Sequence, residues 1–338
     1  MVDYKVAMQR AIELSRKGLG KTTPNPIVGA VIIDSAGVTI AEGFHDRMNS
    51  PDHAEIVALN LAGGKARGAT MVVTLEPCNH IASTGSCAAA IIDAGITTVI
   101  FANSDPNEKA AGGAQTLRDS GVTVIAGVLD EAAAFANRAW LLKIKKSRPF
   151  FTWKVAATLD GKIAAIDGTS KWITNEASRA DVQILRRQAD AILVGTNTVI
   201  ADNPHLIPRG DFVGYTKNPL RVICGEKELP VAAKIFDAAA PTLIVNSKDL
   251  DLLIVKLSEA NINQVLVEAG PTLATAMLAA GLMDELIIYQ APSIIGTGKA
   301  FVGDLGLINI DQQMIMDHIS TQVIAGDIKS VYQIRDGQ

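Results

Sequence analysis

The sequence predicts an α/β protein of two domains, and three observations carry that expectation. Its 338 residues are enough to bury two separate cores. Hydrophobic residues make up 48% and charged residues 20%, the balance of a globular chain and not of a disordered one. Apolar strand-like runs also alternate with helix-like segments, which implies βα units and a largely parallel sheet covered by helices on both faces.

Taken in order, residues 3–17 set Val6, Ile12 and Leu14 among Lys5, Arg10, Glu13, Arg16 and Lys17, an opening helix that Gly18 and Gly20 close. A polar turn at 22–26 leads to a buried strand at 28–33, and the Ser35-Ala36-Gly37 turn leads to a second at 38–43. Strands at 70–75, 98–102 and 122–125 then alternate with helices at 53–66, 87–94 and 110–119, so the first domain is expected over 1–145. The basic, proline-ended stretch 143–149 has the composition of an interdomain junction. From 150 to 338 a second domain is expected. It has a strand at 150–157, a helix at 176–188, and strands at 191–194, 220–224, 242–245, 265–267 and 285–290. Residues 202–219, rich in Pro, Gly and Asn, read as a long loop bordering a ligand.

Composition narrows the function classes. Lys and Arg total 31 and Asp and Glu 35, a net charge of −4 that disfavours a nucleic-acid partner. Three cysteines cannot staple a chain of this size, so a reducing, cytoplasmic setting is expected, with the thiols free for metal or packing. The N-terminus leads into an amphipathic stretch without the apolar core of a signal peptide. The weakly polar run 269–283 contains Gly270 and Pro271 and is too short to span a bilayer, so no membrane partner is expected. Closed homo-oligomers are common among metabolic enzymes, and one is expected here.

Three of the five histidines fall between residues 45 and 80, near two of the three cysteines. His53, Cys78 and Cys87 offer one imidazole and two thiols. Three such ligands with one open position describe a catalytic zinc site, where the metal activates water near neutral pH. Glu55, two residues after the histidine, is placed to carry protons without binding metal. His, then Glu, then Pro-Cys is the general signature of zinc deaminases. Positions two apart diverge on a regular helix, so His53 and Glu55 can share a pocket only at a helix's first turn. Any one of these residues alone reads more simply as a buried histidine or an inert cysteine.

His53-Ala54-Glu55, Leu75-Glu76-Pro77-Cys78-Asn79-His80, Thr84 and Cys87, with Pro24-Asn25-Pro26 and Val28-Gly29 upstream and Asp105-Pro106-Asn107 downstream, resemble the deaminase half of the bifunctional riboflavin-biosynthesis deaminase/reductase family. The resemblance implies a cytidine-deaminase-like three-layer domain acting on a diaminopyrimidine that carries a ribosylamine 5′-phosphate. It implies Asn25, His45, His80, Asp105 and Asn107 as substrate contacts. On residue type alone, Asn25 and Asn107 read as turn formers and His80 as a surface residue. The chain also departs from the pattern. It has Ala82-Ser83-Thr84-Gly85-Ser86-Cys87 where many members have Gly-Arg-Thr-Pro-Pro-Cys, and residues 48–52 replace a shorter Ala-Gly stretch. A paralogue acting on a related pyrimidine or pteridine is therefore the rival reading, ahead of a nucleic-acid deaminase or a zinc-stiffened binding module.

The second half has no Gly-x-Gly-x-x-Gly after a strand, so the usual dinucleotide fingerprint is missing. Gly270 to Leu273 nevertheless opens a helix straight after a strand and could hold a phosphate, as could Gly195-Thr196. Ala157 to Lys162, Ser170 to Thr174, Gly195 to Thr198, Asp202 to Leu206, Arg209, Glu268 to Leu273 and Ile295 to Gly298, in this order, resemble the reductase half of the same family. The resemblance implies a dihydrofolate-reductase-like domain using NADPH. It assigns Ala157, Trp172, Thr198, Asp202, Gly270, Pro271, Thr272, Leu273, Ala274, Thr275 and Ala276 to the cofactor. Ser170, Arg186, Leu206, Arg209 and Glu268 fall to the substrate. Arginine suits a phosphate because its planar fork donates two parallel hydrogen bonds. Trp172 reads equally as a core aromatic, Arg186 as part of a solvated helix face with Arg187, Asp202 as a cap, and Cys224 as a buried strand residue. Gly225-Glu226 stands where members commonly have Asp-Ser, and an added carboxylate there disfavours a 2′-phosphate. Two sequential reactions are expected: hydrolytic deamination of the pyrimidine, then NADPH-dependent reduction of the ribosyl group to ribityl.

Overall fold

The structure is a computed structural model that describes residues 3–79 and 85–335. The chain divides into two compact units, one of residues 1–147 with 214–216 and one of 148–213 with 217–338.

The first unit runs α1 (Tyr4–Ser15), β1 (Gly29–Ile33), β2 (Thr39–Phe44), α2 (Ala54–Ala62), β3 (Thr70–Leu75), α3 (Cys87–Asp93), β4 (Thr98–Asn103), α4 (Gly113–Asp119), β5 (Thr123–Ala126), α5 (Asp130–Ala136) and α6 (Arg138–Lys146). Its five strands lie in the order β2-β1-β3-β4-β5. Only β3, β4 and β5 are mutually parallel, whereas β1 is antiparallel to both of its neighbours. This corrects the expectation of a largely parallel sheet. The turn after β1, where the Asp34 carboxylate accepts from the N–H groups of Ala36 and Val38, is too short for a parallel crossover. Alternate residues of each strand face opposite cores: Ala30, Ile32, Met71, Val73 and Phe101 in one, and Val31, Ile33, Val72 and Ile100 in the other. Three layers result, with α1 and α5 contributing to the second core through Met8, Ile12, Ala133 and Ala136.

The second unit runs β6 (Phe150–Thr158), β7 (Lys162–Ala165), α7 (Glu176–Gln188), β8 (Ala191–Gly195), α8 (Thr196–Asp202), β9 (Leu220–Cys224), β10 (Thr242–Val245), α9 (Leu250–Glu259), β11 (Gln264–Val267), α10 (Pro271–Ala279), β12 (Glu285–Ala291), β13 (Gly298–Ala300), β14 (Met316–Ile324) and β15 (Asp327–Ile334). Eight strands form one sheet in the order β10-β9-β8-β11-β6-β12-β15-β14, and β7 pairs with β13 apart from it. From β10 to β12 the strands are parallel, and β15 and β14 close the sheet antiparallel. The stretch 143–149 is not a free linker, since residues 143–146 finish α6 and only the next three lead into β6.

At that junction a buried ion pair fixes how β6 enters the sheet. Arg148 donates to both oxygens of Asp284 at 2.8 and 2.7 Å, and the same carboxylate accepts from the Phe151 N–H at 2.8 Å. Removing one member strands a desolvated charge, whereas replacing both with apolar groups leaves none. Asp284→Ala is therefore expected to destabilise the protein by about 3 kcal/mol, and the Arg148→Met/Asp284→Leu double variant by clearly less. Chemical denaturation midpoints check this; equal losses in the two variants would contradict it.

Candidate functional site

Gly43 sets the position of the first site. A Cβ there would stand 2.2 Å from the Ala54 carbonyl oxygen, so only glycine in β2 allows the first turn of α2 to rest on the sheet. His53 is the N-cap of that helix and Glu55 lies in its first turn, the one place where the two can share a pocket. The loop after β3 delivers Cys78, and α3 begins with Cys87. The Nδ1 atom of His53 lies 3.6 Å from the Cys78 sulfur and 3.3 Å from the Cys87 sulfur, and all three ligand atoms fall within 4.8 Å of one another. Ser86, the N-cap of α3, accepts from Ala89 N–H and donates to the Cys78 carbonyl at 3.0 Å, which ties the start of α3 to the Cys78 backbone.

Electrostatics suit a metal. Cys78 is held at about 4 by the Cys87 thiol that donates to it and by His53 beside it, against the penalty of burial. Cys87, the donor, is pushed up. Hydrogen bonding to Cys78 raises His53. Glu55 is buried, and desolvation pushes its carboxyl up. One imidazole and two thiols in a buried cluster are the donor set zinc takes when a fourth position stays open.

His45 is buried behind this cluster, its ring edge-on to His53 at 5.1 Å. Its Nδ1 lies 2.8 Å from the Asp52 carbonyl and its Nε2 3.2 Å from the Asn25 amide nitrogen, so the neutral ring donates through one nitrogen and accepts through the other. Burial lowers the pKa of His45, consistent with that neutral form. Thus Asn25 and His45 do come to the metal cluster. Asp105 and Asn107 lie on the loop after β4, where their carboxylate and amide oxygens accept from Asn107 and Lys109 N–H groups. Glu76 holds that loop: its carboxylate accepts from the N–H groups of Gly112, Ala114 and Asp105 at 3.0–3.3 Å. His80 lies outside the described residues.

In the second unit the charged side chains converge on Glu268, directly after β11. Arg186 of α7 grips it with two bonds of 2.6 and 2.7 Å. Burial would raise the Glu268 pKa, but the fields of Arg186, Lys154 and Arg209 and the Arg186 hydrogen bond hold it at about 2. Lys154, at the middle of β6, is lowered by desolvation, with Glu268 opposing. Arg186 is therefore not the solvated helix residue its neighbour suggested, and Arg187 is buried too, bonded to Lys217 and Asn218. No sequence motif points to Lys154, although a lone lysine inside an apolar strand is a legible signal.

Of the residues assigned to cofactor, Thr198 and the 270–276 turn follow the ends of β8 and β11. Thr198 Oγ1 lies 3.9 Å from where a Gly270 Cβ would stand, and Leu273 packs at 3.8 Å against the corresponding position of Gly195. Pro271, Thr272, Thr275 and Ala276 line an open cavity of about 440 Å³ together with Gly303 and Asp304. The Thr275 hydroxyl accepts from Gly303 N–H at 2.7 Å, so its side chain holds the following segment. Ala157 and Ala274 are fully buried. Asp202 is exposed at the end of α8. Trp172 is 65% exposed, with the Arg179 guanidinium 4.5 Å over its ring, and Ser170 is half-buried nearby in sequence. Leu206 is buried, its backbone at φ 49°, and Arg209 is exposed, its N–H donating to Gln183. Cys224 is buried in the core, as a packing residue should be.

Two family profiles divide the chain. Residues 1–103 match the cytidine and deoxycytidylate deaminase zinc-binding region, and residues 149–329 match the RibD C-terminal domain. The chain belongs to the RibD family. Riboflavin biosynthesis protein RibD of Aquifex aeolicus is 41% identical over 331 residues, covering 91% of this chain and 92% of that protein. The RibD of Mycobacterium tuberculosis is 42% identical, with 95% of each covered. Among solved structures, Acinetobacter baumannii RibD superposes with a TM-score of 0.89 at 36% identity over 98% of this chain and 99% of that one. A Thermotoga maritima diaminohydroxyphosphoribosylaminopyrimidine deaminase/5-amino-6-(5-phosphoribosylamino)uracil reductase gives 0.89 at 33%, with 98% and 99% covered.

As a RibD protein the chain is a bifunctional enzyme of riboflavin biosynthesis, a zinc-dependent deaminase joined to an NADPH-dependent reductase, acting on a phosphoribosylaminopyrimidine. Both expected folds stand, the cytidine-deaminase-like domain first and the reductase domain after it. No helix of the described residues is long and apolar enough to cross a membrane. Because Cys87 supplies one of the three candidate ligand atoms, Cys87→Ala is expected to reduce bound zinc in the purified protein from stoichiometric to a small fraction, by elemental analysis. Undiminished zinc would place the metal elsewhere.

Proposed function

We propose that deamination is carried out within 1–145 by His53, Cys78, Cys87 and Glu55, and reduction within 150–338 around Lys154, Arg186, Arg209 and Glu268. The observation that carries the first assignment is the buried His53–Cys78–Cys87 cluster with Glu55 in the adjoining helical turn. Zinc, when bound, activates water for attack on the amino-bearing ring carbon. Glu55 takes one proton from that water and delivers it to the ring nitrogen, then takes the proton of the newly added hydroxyl and passes it to the amino group, which leaves as ammonia while the carbonyl forms. Desolvation suits this task, because a raised carboxyl binds and releases protons nearer neutral pH. Asn25 and His45 hold the pyrimidine, with Asp105 and Asn107 bordering it from the loop that Glu76 anchors, and His80 completing the set.

In the reductase, NADPH supplies the hydride that converts the ribosyl carbon to its ribityl form. Thr198 and the Gly270 to Ala276 turn hold the cofactor phosphates, with Ala157, Trp172 and Asp202 along its length. Arg209, Ser170 and the backbone of Leu206 hold the substrate phosphate. Arg186 reaches that phosphate only in exchange for part of its grip on Glu268, so here Glu268 positions Arg186 as well as facing the substrate. Lys154 is aimed into the same buried cluster and offers an amine donor to a pyrimidine carbonyl, the group that deamination creates. We further propose that the enzyme works in the cytoplasm as a homo-oligomer. Support comes from three buried free thiols and from the apolar side chains of Ile319, Val323 and Ile328 left exposed on the last hairpin.

Glu55→Gln is expected to retain zinc and lower ammonia release by about a thousand-fold or more, with NADPH oxidation on the deaminated substrate unchanged. Full deaminase activity in that variant would remove Glu55 from the reaction. Arg209→Ala is expected to raise KM for the phosphorylated substrate about ten-fold or more while leaving that for NADPH within about two-fold. Equal weakening of both would refute its assignment to the substrate.

A further inference from the structure

The departure at Gly225-Glu226 has a definite place in the fold. Parallel strands β11, β8, β9 and β10 are consecutive neighbours, so their C-terminal ends form one row along a single edge of the sheet. Gly270 and Thr198 mark the β11 and β8 ends of that row, where the cofactor phosphates are assigned. The next two places belong to Glu226 and Lys248. The Gly225 N–H donates to the Val245 carbonyl at 3.1 Å and the Cys224 thiol to the Ser247 carbonyl at 3.3 Å, which keeps the two strand ends together beyond the ladder. Gly225 has φ 136°, and a Cβ on it would stand 2.7 Å from the Thr196 hydroxyl at the start of α8. Only glycine lets the chain pass there and present Glu226 beside α8. The Glu226 carboxylate then meets the Lys248 ammonium at 3.0 Å, and both side chains are largely exposed.

The substrate cluster fixes the direction in which a dinucleotide lies along this row. Lys154 and Glu268 sit on β6 and at the end of β11, so the hydride-donating ring must lie on that side. With the phosphates at Gly270 and Thr198, the adenosine end extends over β9 and β10. Three strand spacings from β11 to β10 cover roughly 14 Å, the reach from a pyrophosphate across its nucleoside. A carboxylate beside an adenine ribose accepts from the 2′-hydroxyl of a non-phosphorylated cofactor and repels a 2′-phosphate.

We propose that the Glu226–Lys248 pair sets cofactor selectivity in this chain: Glu226 accepts from the ribose hydroxyl of NADH and occupies the cation a 2′-phosphate would use, so that NADH is taken alongside NADPH. This rests on the placement of the cofactor proposed above. The direct test is calorimetric binding of NADP+ and NAD+ to the full-length protein and to three variants. The wild type is expected to bind the two within about ten-fold of each other. Glu226→Ser should tighten NADP+ at least about five-fold without tightening NAD+, and adding Lys248→Met should abolish that gain. A wild-type preference for NADP+ beyond about a hundred-fold, or a Glu226→Ser ratio within about two-fold of wild type, overturns the proposal. Thr198→Val separates the two failures. If it weakens both cofactors while Glu226→Ser moves nothing, only the selector falls; if it weakens neither, the cofactor placement itself falls and the selector with it.

Discussion

A strand that joins a parallel sheet leaves it at the same edge as its neighbours, because the slanted hydrogen-bond ladder of a parallel pair requires chains running in one direction. The chain must turn there, and the turn exposes backbone N–H groups at helix starts that strand pairing cannot satisfy. Both sites of this protein are built at such edges. In the first unit β3 ends at Leu75 and β4 at Asn103, and the turns beyond them supply Glu76, Cys78 and Asp105. In the second unit β8, β9 and β11 end at Gly195, Cys224 and Val267, and the residues just beyond those ends include Thr198, Glu226 and Glu268.

Chemistry at these edges needs charge taken out of water, and each buried charge is matched by partners that also hold the site together. Glu76 commits its carboxylate to three N–H groups of one loop, which fixes Asp105 and the helix after it. Glu268 is ionised only because Arg186, Lys154 and Arg209 surround it. Its pKa is depressed in the folded state, so this cluster contributes stability that is complete above the ordinary carboxylate value of 4.5 and is lost as pH falls toward about 2. Glu55 differs in kind, since desolvation dominates and the charge of His53 opposes it only in part. A carboxyl held that way is suited to passing protons, whereas one held by arginine is suited to positioning.

Much of the molecule is legible in the sequence, and the gaps have physical causes. Strands β3, β4, β8 and β9 carry strong apolar patterns bounded by turn residues, and their expected spans, like that of helix α7, lie close to the observed ones. The antiparallel pairing of β1 is hidden because its sequence, Gly-Ala-Val-Ile-Ile, is buried on both faces and looks like a parallel strand. Strands β14 and β15 escape pattern reading because the first is exposed along almost its whole length and lacks apolar alternation. The His53–Cys78–Cys87 cluster and the nearby Glu55 are legible because metal chemistry restricts residue type so tightly. Glu76 does not stand out as an anchor, and Lys154 is marked only as a lone lysine inside an apolar strand: their surroundings come from backbone groups and charges distant in sequence. Arg186 is singled out in the sequence only through the resemblance, and its grip on Glu268, 82 residues away, comes only from the fold.

The central claim is that one chain performs two consecutive reactions on one phosphoribosylaminopyrimidine at two separate sites. Mass spectrometry of the authentic diaminopyrimidine substrate incubated with the protein, with and without NADPH, tests it most directly. Without NADPH the substrate mass should change by exchange of an amine for a carbonyl and stop there, and adding NADPH should then add two hydrogens. An unchanged mass without NADPH, or no hydrogen gain with it, would contradict the claim.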